Sequence, residues 1–174
     1  MTDASFVTTR LTGNHDRASF SCGVEPLDRY FRQQANQDIR RRTASCFVLI
    51  DNTTGAVAGY FTLSAAHILL PELPEALTAK LPRYPTVPVA LIGRLAIATA
   101  FRDRKLGSVL LGDAVARAAT ADLATFAMVA DPKDETARRF YEHHGFTNLR
   151  SMGGRMFIPT QVALGLLRSD RSQG

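Results

Sequence analysis

The stretch from Val89 to Ala119 constrains the fold more than any other part of the chain. Its first ten residues, Val89–Ala98, form an apolar run that predicts a strand, and Leu106–Ala119 has the apolar periodicity of a helix. The charged turn Phe101–Lys105 separates the two segments. A strand that passes through a short turn into a helix is a building unit of layered α/β proteins, so we expect this architecture.

The turn also has the chemistry of an anion-binding site. The first backbone N–H groups of a helix have no intrahelical partner and lie at the positive end of the helix dipole. Arg102, Arg104 and Lys105 add formal positive charge, while Gly107 and Ser108 allow a phosphate to approach the backbone. The turn has neither the GxxxxGK[ST] nor the GxGxxG pattern. A solvated charged turn is the alternative interpretation.

The remaining sequence alternates between predicted strands and helices, so we expect one mixed α/β domain over residues 1–174. The tail from about Arg168 is polar and is predicted to fray. In the first half of the chain, the other predicted elements are a helix Glu25–Ile39 closed by Arg40–Arg42, and a hairpin of Cys46–Ile50 and Ala56–Ile68 around the turn Asp51–Gly55. A short helix Pro71–Leu81 and a loop 82–88 are predicted next. The second half is predicted to contain a strand Thr125–Ala130, a helix capped by Asp131 or Asp134 that runs to His144 and ends at Gly145, and strands Phe146–Leu149 and Met156–Ile158.

Composition excludes several other classes of protein. No apolar run approaches the roughly 18 residues of a membrane helix, and Met1–Arg10 lacks the apolar core of a secretory signal, so we expect a cytoplasmic protein without a membrane segment. Cys22 and Cys46 are predicted to be reduced thiols, and no Cys/His cluster indicates a metal site. The net charge of +5 permits a polyanionic partner without requiring one.

A second chemical candidate lies in the segment Asp131–Phe146. Ala137 and Tyr141 are four residues apart, so they share one face of the predicted helix. A small residue leaves room for a ligand, and Tyr141 is the titratable group on that face. The alternative is that Tyr141 belongs to the core or its rim.

Together the two segments resemble the GCN5-related N-acetyltransferases (GNAT). The helix carries the family's "A…FYE..GF" sequence, and the turn resembles its pyrophosphate loop, [Q/R]-x-x-G-x-[G/A], with Lys105 in place of the first glycine. The resemblance implies a mixed, mostly antiparallel central sheet flanked by helices. It also implies that acetyl-CoA binds in a V-shaped split between the two central parallel strands.

Four longer stretches narrow the resemblance to the acetyltransferase toxins of bacterial toxin–antitoxin pairs. They read "FSCGVEPLDRYFRQQANQD", "GYFTLSAA", "LPRYPTVPVALIGRLAI" and "ADPKDETARRFYEHHGF". This resemblance implies acetylation of the α-amino group of aminoacyl-tRNA, a block of translation, a ribbon-helix-helix antitoxin and a homodimer. Two alternatives stay open: acetylation of a protein N-terminus, lysine or small amine, and a degenerate acetyl-CoA-binding protein without catalysis.

The resemblance also implies roles for individual residues. Tyr141 would give a proton to the departing CoA thiolate, and the backbone of Leu95–Ile97, spread by a bulge, would hold the pantetheine. His67, His143 and His144 are predicted to be surface residues, not bases. The predicted cofactor-binding residues are Leu95, Ala96, Ile97, Arg102, Asp103, Arg104, Lys105, Leu106, Gly107, Ser108, Ala137 and Phe140. The candidates for tRNA phosphates are Arg32, Arg40, Arg41, Arg42, Lys80, Arg83 and Arg94.

Overall fold

The computed structural model describes residues 5–150 and 153–173, which form seven strands and six α-helices. The sheet has the order β1-β2-β3-β4-β5-β7-β6, with β4 and β5 parallel. β2 pairs antiparallel with β1 and β3, and β7 pairs antiparallel with β5 and β6, which confirms the expected mixed α/β fold. The strands are β1 Phe6–Arg10, β2 Ser45–Asp51, β3 Val57–Leu69, β4 Thr86–Ile97, β5 Ala127–Ala130, β6 Thr147–Asn148 and β7 Met156–Pro159. The helices are α1 Glu25–Arg29, α2 Ala35–Arg41, α3 Glu75–Thr78, α4 Leu106–Thr120, α5 Glu135–His143 and α6 Thr160–Gln173.

The chain divides into two compact units. The first comprises the chain up to Ser64 together with Gly93–Ala114, and the second comprises Ala65–Ile92 and the chain from Val115 onward. Strands β3 and β4 and helix α4 each contribute residues to both units.

The first unit is built around a stack of aromatic rings. Phe31 is completely buried, and its ring stacks on Tyr60 with a centroid distance of 4.4 Å. The Tyr60 hydroxyl donates a hydrogen bond to the Leu27 carbonyl at 2.7 Å, so its polar end is satisfied within the core. The buried cluster comprises Leu11, Phe20, Cys22, Tyr30, Phe31, Ala35, Cys46, Val48, Val57, Tyr60, Ala96 and Ala98.

The helix predicted over Glu25–Ile39 is interrupted by a π-helical turn, Tyr30–Gln34, between α1 and α2. The N–H of Ala35 reaches back five residues to the carbonyl of Tyr30. A π turn inserts one extra residue into the helical repeat. Tyr30, Phe31 and Ala35 all lie buried in this region. The arginine run closes α2 as predicted, with Arg42 in the left-handed conformation.

In the second unit, apolar residues of β4, β5 and β7 pack against the end of β3 and against residues of the segment between β3 and β4. Its buried cluster comprises Ile68, Leu73, Val87, Val89, Ala127, Val129, Leu149 and Phe157. The Asp134 carboxylate caps α5 by accepting the N–H of Ala137 at 2.8 Å, and Gly145 follows that helix with a φ of +90°. The cap and the left-handed glycine confirm the predicted ends of α5.

Several predicted elements differ from the structure. The expected loop 82–88 ends earlier because β4 begins at Thr86, and the expected helix Pro71–Leu81 contains only a 3₁₀ turn, Leu70–Glu72, and the short α3. Strand β1 was not predicted. The tail predicted to fray from Arg168 is helical to Gln173, with Ser169 and Ser172 hydroxyls bonded to carbonyls four residues earlier.

Candidate active site

The turn before α4 holds two non-glycine residues in the left-handed conformation. Asp103 has a φ of +64° and Lys105 a φ of +57°. This conformation costs an L-residue on the order of 1–2 kcal/mol, although aspartate tolerates it better than lysine. Lys105 stands where the resemblance puts a glycine, so the chain keeps a glycine-type turn without the glycine.

The start of α4 offers donors that fit a phosphate. Leu106 and Gly107 are the first two residues of α4, so their backbone N–H groups have no acceptor within the helix. A left-handed residue followed by a right-handed one turns successive N–H groups toward a common point, which is an anion-binding arrangement. The Lys105–Leu106 pair provides that sequence of conformations. These donors and the cation beside them suit a phosphate group.

The two arginines of this turn are engaged by the protein itself. Arg102 donates from Nη2 to the Cys22 carbonyl at 2.7 Å. The guanidinium of Arg104 lies over the ring of Phe6, with its carbon 4.9 Å from the centroid, and over that of Phe101 at 5.7 Å. Both side chains therefore help to hold the turn against the body of the first unit. Sequence reasoning predicted their charge but not these contacts.

The second half of β4 carries Leu95, Ala96 and Ile97. The parallel register with β5 runs from Val89–Ala127 to Ile92–Ala130, and β4 continues to Ile97. Gly59 on β3 allows Ala96 to approach closely, because a Cβ at Gly59 would lie 2.7 Å from the Ala96 carbonyl oxygen. A backbone oxygen cannot move aside cheaply, so the position requires glycine.

Tyr141 is buried on α5, with 7 % of its surface exposed. The rings of Phe140 and Phe146 flank it at centroid distances of 5.2 and 5.1 Å. Burial raises the pKa of Tyr141 above its ordinary value, and the Asp131 carboxylate raises it further. The hydroxyl therefore keeps its proton at neutral pH.

The surroundings of Tyr141 leave its hydroxyl available as a donor. Among residues 5–150 and 153–173, none forms a hydrogen bond with this hydroxyl. Asp131 is instead bound by Arg155 through two hydrogen bonds, from Nε at 2.7 Å and Nη2 at 2.9 Å. Ala137 lies one helical turn before Tyr141, as the spacing predicts.

The histidines predicted to lie at the surface differ in exposure, because His67 is exposed whereas His144 is half-buried. His143 is exposed. The Nδ1 of His144 lies 2.8 Å from the carbonyl of Phe140, and the two rings are 4.6 Å apart. Phe140 itself is half-buried, between Tyr141 and His144.

The cysteines do not provide a nucleophile. Cys22 and Cys46 are both free and buried. Burial raises the pKa of Cys46 to about 12, so the thiolate is scarce at neutral pH.

Arg94, which the sequence places in an apolar strand, is accommodated by an aromatic ring. Its guanidinium carbon lies 3.5 Å from the centroid of Tyr30. The Tyr30 hydroxyl donates to Asp38 Oδ2 at 2.8 Å, which fixes the ring from its other end. Sequence reasoning named Arg94 as a candidate for tRNA phosphates but missed its contact with Tyr30 and the bond from Tyr30 to Asp38. A contact between a strand and a distant helix leaves no spacing signal.

The other predicted tRNA-binding residues differ in their availability. Arg32 is half-buried and donates to the Phe20 carbonyl. The side chains of the remaining five are exposed, at the end of α2 in the first unit and beyond α3 in the second. They are Arg40, Arg41, Arg42, Lys80 and Arg83.

The chain is similar in sequence to known proteins over most of its length. The model of the acetyltransferase (GNAT) family matches residues 13–146. A tRNA-acetylating toxin from Mycobacterium tuberculosis is 32 % identical over 139 residues, covering 79 % of this chain and 81 % of the relative. A protein from Sinorhizobium fredii named "Probable toxin TacT" is 29 % identical over 162 residues, covering 88 % and 90 % of the two chains.

Solved structures show the same fold. AtaT complexed with acetyl-methionyl-tRNAfMet superposes with a TM-score of 0.84 at 26 % identity, covering 92 % of this chain and 98 % of AtaT. A mutant of KacT superposes with a TM-score of 0.84 at 22 % identity, covering 93 % and 99 % of the two chains. AtaTR bound with AcCoA has a TM-score of 0.79 at 25 % identity, covering 93 % and 98 %.

Proposed function

Because the chain belongs to the GNAT acetyltransferase family, we propose that it transfers the acetyl group of acetyl-CoA to the α-amino group of aminoacyl-tRNA. An acetylated amine can no longer attack in peptide bond formation, so the activity blocks translation. The 32 % identity to a tRNA-acetylating toxin carries this proposal. The anion-binding start of α4 and the basic side chains of both units support it.

Backbone groups bind the cofactor, and one side chain serves as the proton donor. Acetyl-CoA supplies the acetyl group as a thioester. The N–H groups of Leu106 and Gly107 bind its pyrophosphate, and the backbone of Leu95–Ile97 holds the pantetheine. Ala137 lies one turn before Tyr141 on the same face of α5, and the ring of Phe140 flanks that of Tyr141. Tyr141 is protonated at neutral pH and donates its proton to the departing thiolate, while water accepts the proton that the amine loses.

The acceptor amine attacks the thioester directly, without an acyl-enzyme. Both cysteines are buried, and the thiol of Cys46 resists ionisation. Much of the acceleration then comes from holding the amine and the thioester together in one complex.

Arg94 is our strongest candidate for contact with tRNA phosphates. A guanidinium held over a ring by a cation–π contact can still donate from its N–H groups to an oxyanion. No ion pair with a carboxylate engages Arg94 in the described part of the chain. Its charge is therefore held in place by Tyr30 without being neutralised.

Two further partners belong to the proposal. A solved structure of an AtaT mutant bound to the C-terminus of the antitoxin AtaR shares the fold with a TM-score of 0.77. We propose a ribbon-helix-helix antitoxin as the regulator of this chain, a homodimer as its assembly and the cytoplasm as its location. No helix in residues 5–150 and 153–173 is long and apolar enough to cross a membrane.

The test is mass analysis of a charged tRNA pool after incubation with the protein and acetyl-CoA. We expect an added acetyl group on the aminoacyl moiety, with uncharged tRNA unchanged. Acetylation of peptide N-termini, lysine or small amines without acetylation of aminoacyl-tRNA would favour the other enzymatic alternative. Binding of acetyl-CoA without transfer to any amine would favour a non-catalytic protein.

The variant Arg94→Ala tests the phosphate contact. We expect KM for aminoacyl-tRNA to rise about tenfold. We also expect the slope of log affinity against log salt concentration to become less steep by about one, because one phosphate contact is lost. The Arg94→Lys variant keeps the charge but loses the planar guanidinium with its several donors, so we expect an intermediate KM. The matched control is Arg168→Ala, which removes an exposed cation from α6. Equal salt slopes for Arg94→Ala and the wild type would refute the contact.

A further inference from the structure

One end of the sheet in the second unit has an exposed face. In β3, Ile68 belongs to the buried cluster of this unit, and Ala66 and Leu70 pack against it. Side chains alternate between the two faces of a strand, so the residues between these three lie on the opposite face. They are exposed, as are alternate positions of the neighbouring strand β4. The exposed positions, which we call the β3–β4 face, are Ala65, His67 and Leu69 in β3 and Thr86 and Pro88 in β4.

An exposed aromatic ring adjoins this face. Tyr84 is 67 % exposed, and in residues 5–150 and 153–173 neither its ring nor its hydroxyl has a partner. The backbone beside it is held, because the Leu70 N–H donates to the Pro85 carbonyl at 3.1 Å. Pro82 and Pro85 also fix their own φ angles on either side of Tyr84. A ring presented to solvent on a restricted backbone is a platform on which a planar group can stack.

The charges beside Tyr84 are positive. Lys80 and Arg83 are exposed, and within the described residues neither side chain has a hydrogen bond, an ion pair or a ring contact. They are the only charged residues in the sequence from Ala76 to Ile92. An aromatic ring next to free cations is the combination that binds single-stranded nucleic acid, in which bases stack on the ring and phosphates meet the cations.

The acidic side chains of the connection between β3 and β4 leave these cations available. The Glu72 carboxylate accepts a hydrogen bond from the Leu69 N–H at 2.8 Å and interacts electrostatically with Arg155. Glu75 begins α3, five residues before Lys80, and the two form no ion pair in the described chain. The surface around Tyr84 is therefore complementary in charge to a polyanion.

We propose that Tyr84, Lys80, Arg83 and the β3–β4 face bind an unpaired, single-stranded end of an RNA. The Tyr84 ring stacks on one base, and the two cations bind the adjoining phosphates. A double helix does not fit this role, because its bases are stacked on one another and do not expose their faces. The inference rests on the proposed function, since the acceptor amino acid of aminoacyl-tRNA is carried on an unpaired 3′ end.

Fluorescence anisotropy with the full chain tests the site without any turnover. The probes are a labelled single-stranded RNA octamer that ends in CCA and a blunt RNA duplex of the same length. We expect Tyr84→Leu to bind the single strand about 5- to 30-fold more weakly, as for loss of one stacked base, and the duplex unchanged. Tyr84→Phe keeps the ring and should bind the single strand within about twofold of the wild type.

The cations are tested by the salt dependence of single-strand binding. Lys80→Ala and Arg83→Ala should each make the slope of log affinity against log salt concentration less steep by about 0.7, as for one phosphate contact with a single strand. The matched controls are Leu123→Ala, at another exposed apolar position, and Arg168→Ala on α6. Both should bind the single strand as the wild type does.

Three results would overturn the proposal. They are a wild type that does not bind the single strand, equal single-strand affinities for Tyr84→Leu and the wild type, and an equal loss with the duplex. A change from dimer to monomer in Tyr84→Leu, measured by sedimentation, would also overturn it, because the face would then be an interface between two copies of the chain. Single-strand binding as expected, without acetylation of aminoacyl-tRNA, would instead contradict the proposed function and support the RNA site.

Discussion

The Tyr141→Phe variant is expected to lose acetyl transfer by about 10²-fold or more in kcat while it still binds acetyl-CoA. Removal of the hydroxyl leaves the departing thiolate without its proton donor. The ring stays in place between Phe140 and Phe146, so the fold and the cofactor site should be unaffected. Steady-state kinetics on aminoacyl-tRNA measure kcat, and calorimetry measures the affinity for acetyl-CoA.

A matched control lies next to Tyr141 on the same helix. Glu142 is exposed, so Glu142→Gln should change neither kcat nor affinity appreciably. Turnover of Tyr141→Phe close to that of the wild type would remove Tyr141 from its proposed role.

The pH dependence gives an independent check on Tyr141. Burial and the Asp131 carboxylate raise its pKa, so the hydroxyl stays protonated through the ordinary phenol range near pH ~10. We therefore expect kcat to rise with pH as the acceptor amine loses its proton, with no fall up to about pH 10. A decline at lower pH would mean that the proton donor is a more acidic group.

The Phe31→Ala variant is expected to lose about 3–5 kcal/mol of unfolding free energy, the largest stability effect that we predict. Phe31 is completely buried and packs against both Tyr60 and Phe20, at 4.4 and 4.8 Å between ring centroids. Its removal leaves a cavity in the core of the first unit. Urea denaturation of the two proteins gives the difference.

Leu123→Ala is the control for Phe31→Ala. Leu123 is 79 % exposed, so its truncation should change the unfolding free energy by less than about 0.5 kcal/mol. A Phe31→Ala variant that loses less than about 1 kcal/mol would show that the aromatic stack is not central to stability. An unchanged unfolding free energy together with a reduced affinity for acetyl-CoA would also contradict this prediction.

The sequence predicted elements best where one local signal was strong. Helix α4 and the hairpin of β2 and β3 lie where apolar periodicity and the Asp51–Gly55 turn indicated. Asp134 and Gly145 delimit α5 because capping and left-handed termination depend on single residues. Such features depend on chain neighbours, and a sequence displays them directly.

Other features depended on contacts between distant parts of the chain. The π turn at Tyr30–Gln34 interrupts a segment in which apolar periodicity predicted one continuous helix. Strand β1 is five residues long and only partly buried, so its pairing with β2 decides that it is a strand. α6 continues beyond Arg168 although its composition is polar.

By itself, the sequence determined the mixed α/β class, the basic turn before α4, Tyr141 on α5 and the resemblance to an acetyltransferase family. These depend on residue type and short spacing, which are properties of the linear chain. Tertiary structure alone decided which charges are available. Arg102 is bonded to a carbonyl 80 residues away in sequence, Arg94 lies on the ring of Tyr30, and Lys105 is left exposed. The energetic role of a charge depends on the groups that surround it in space.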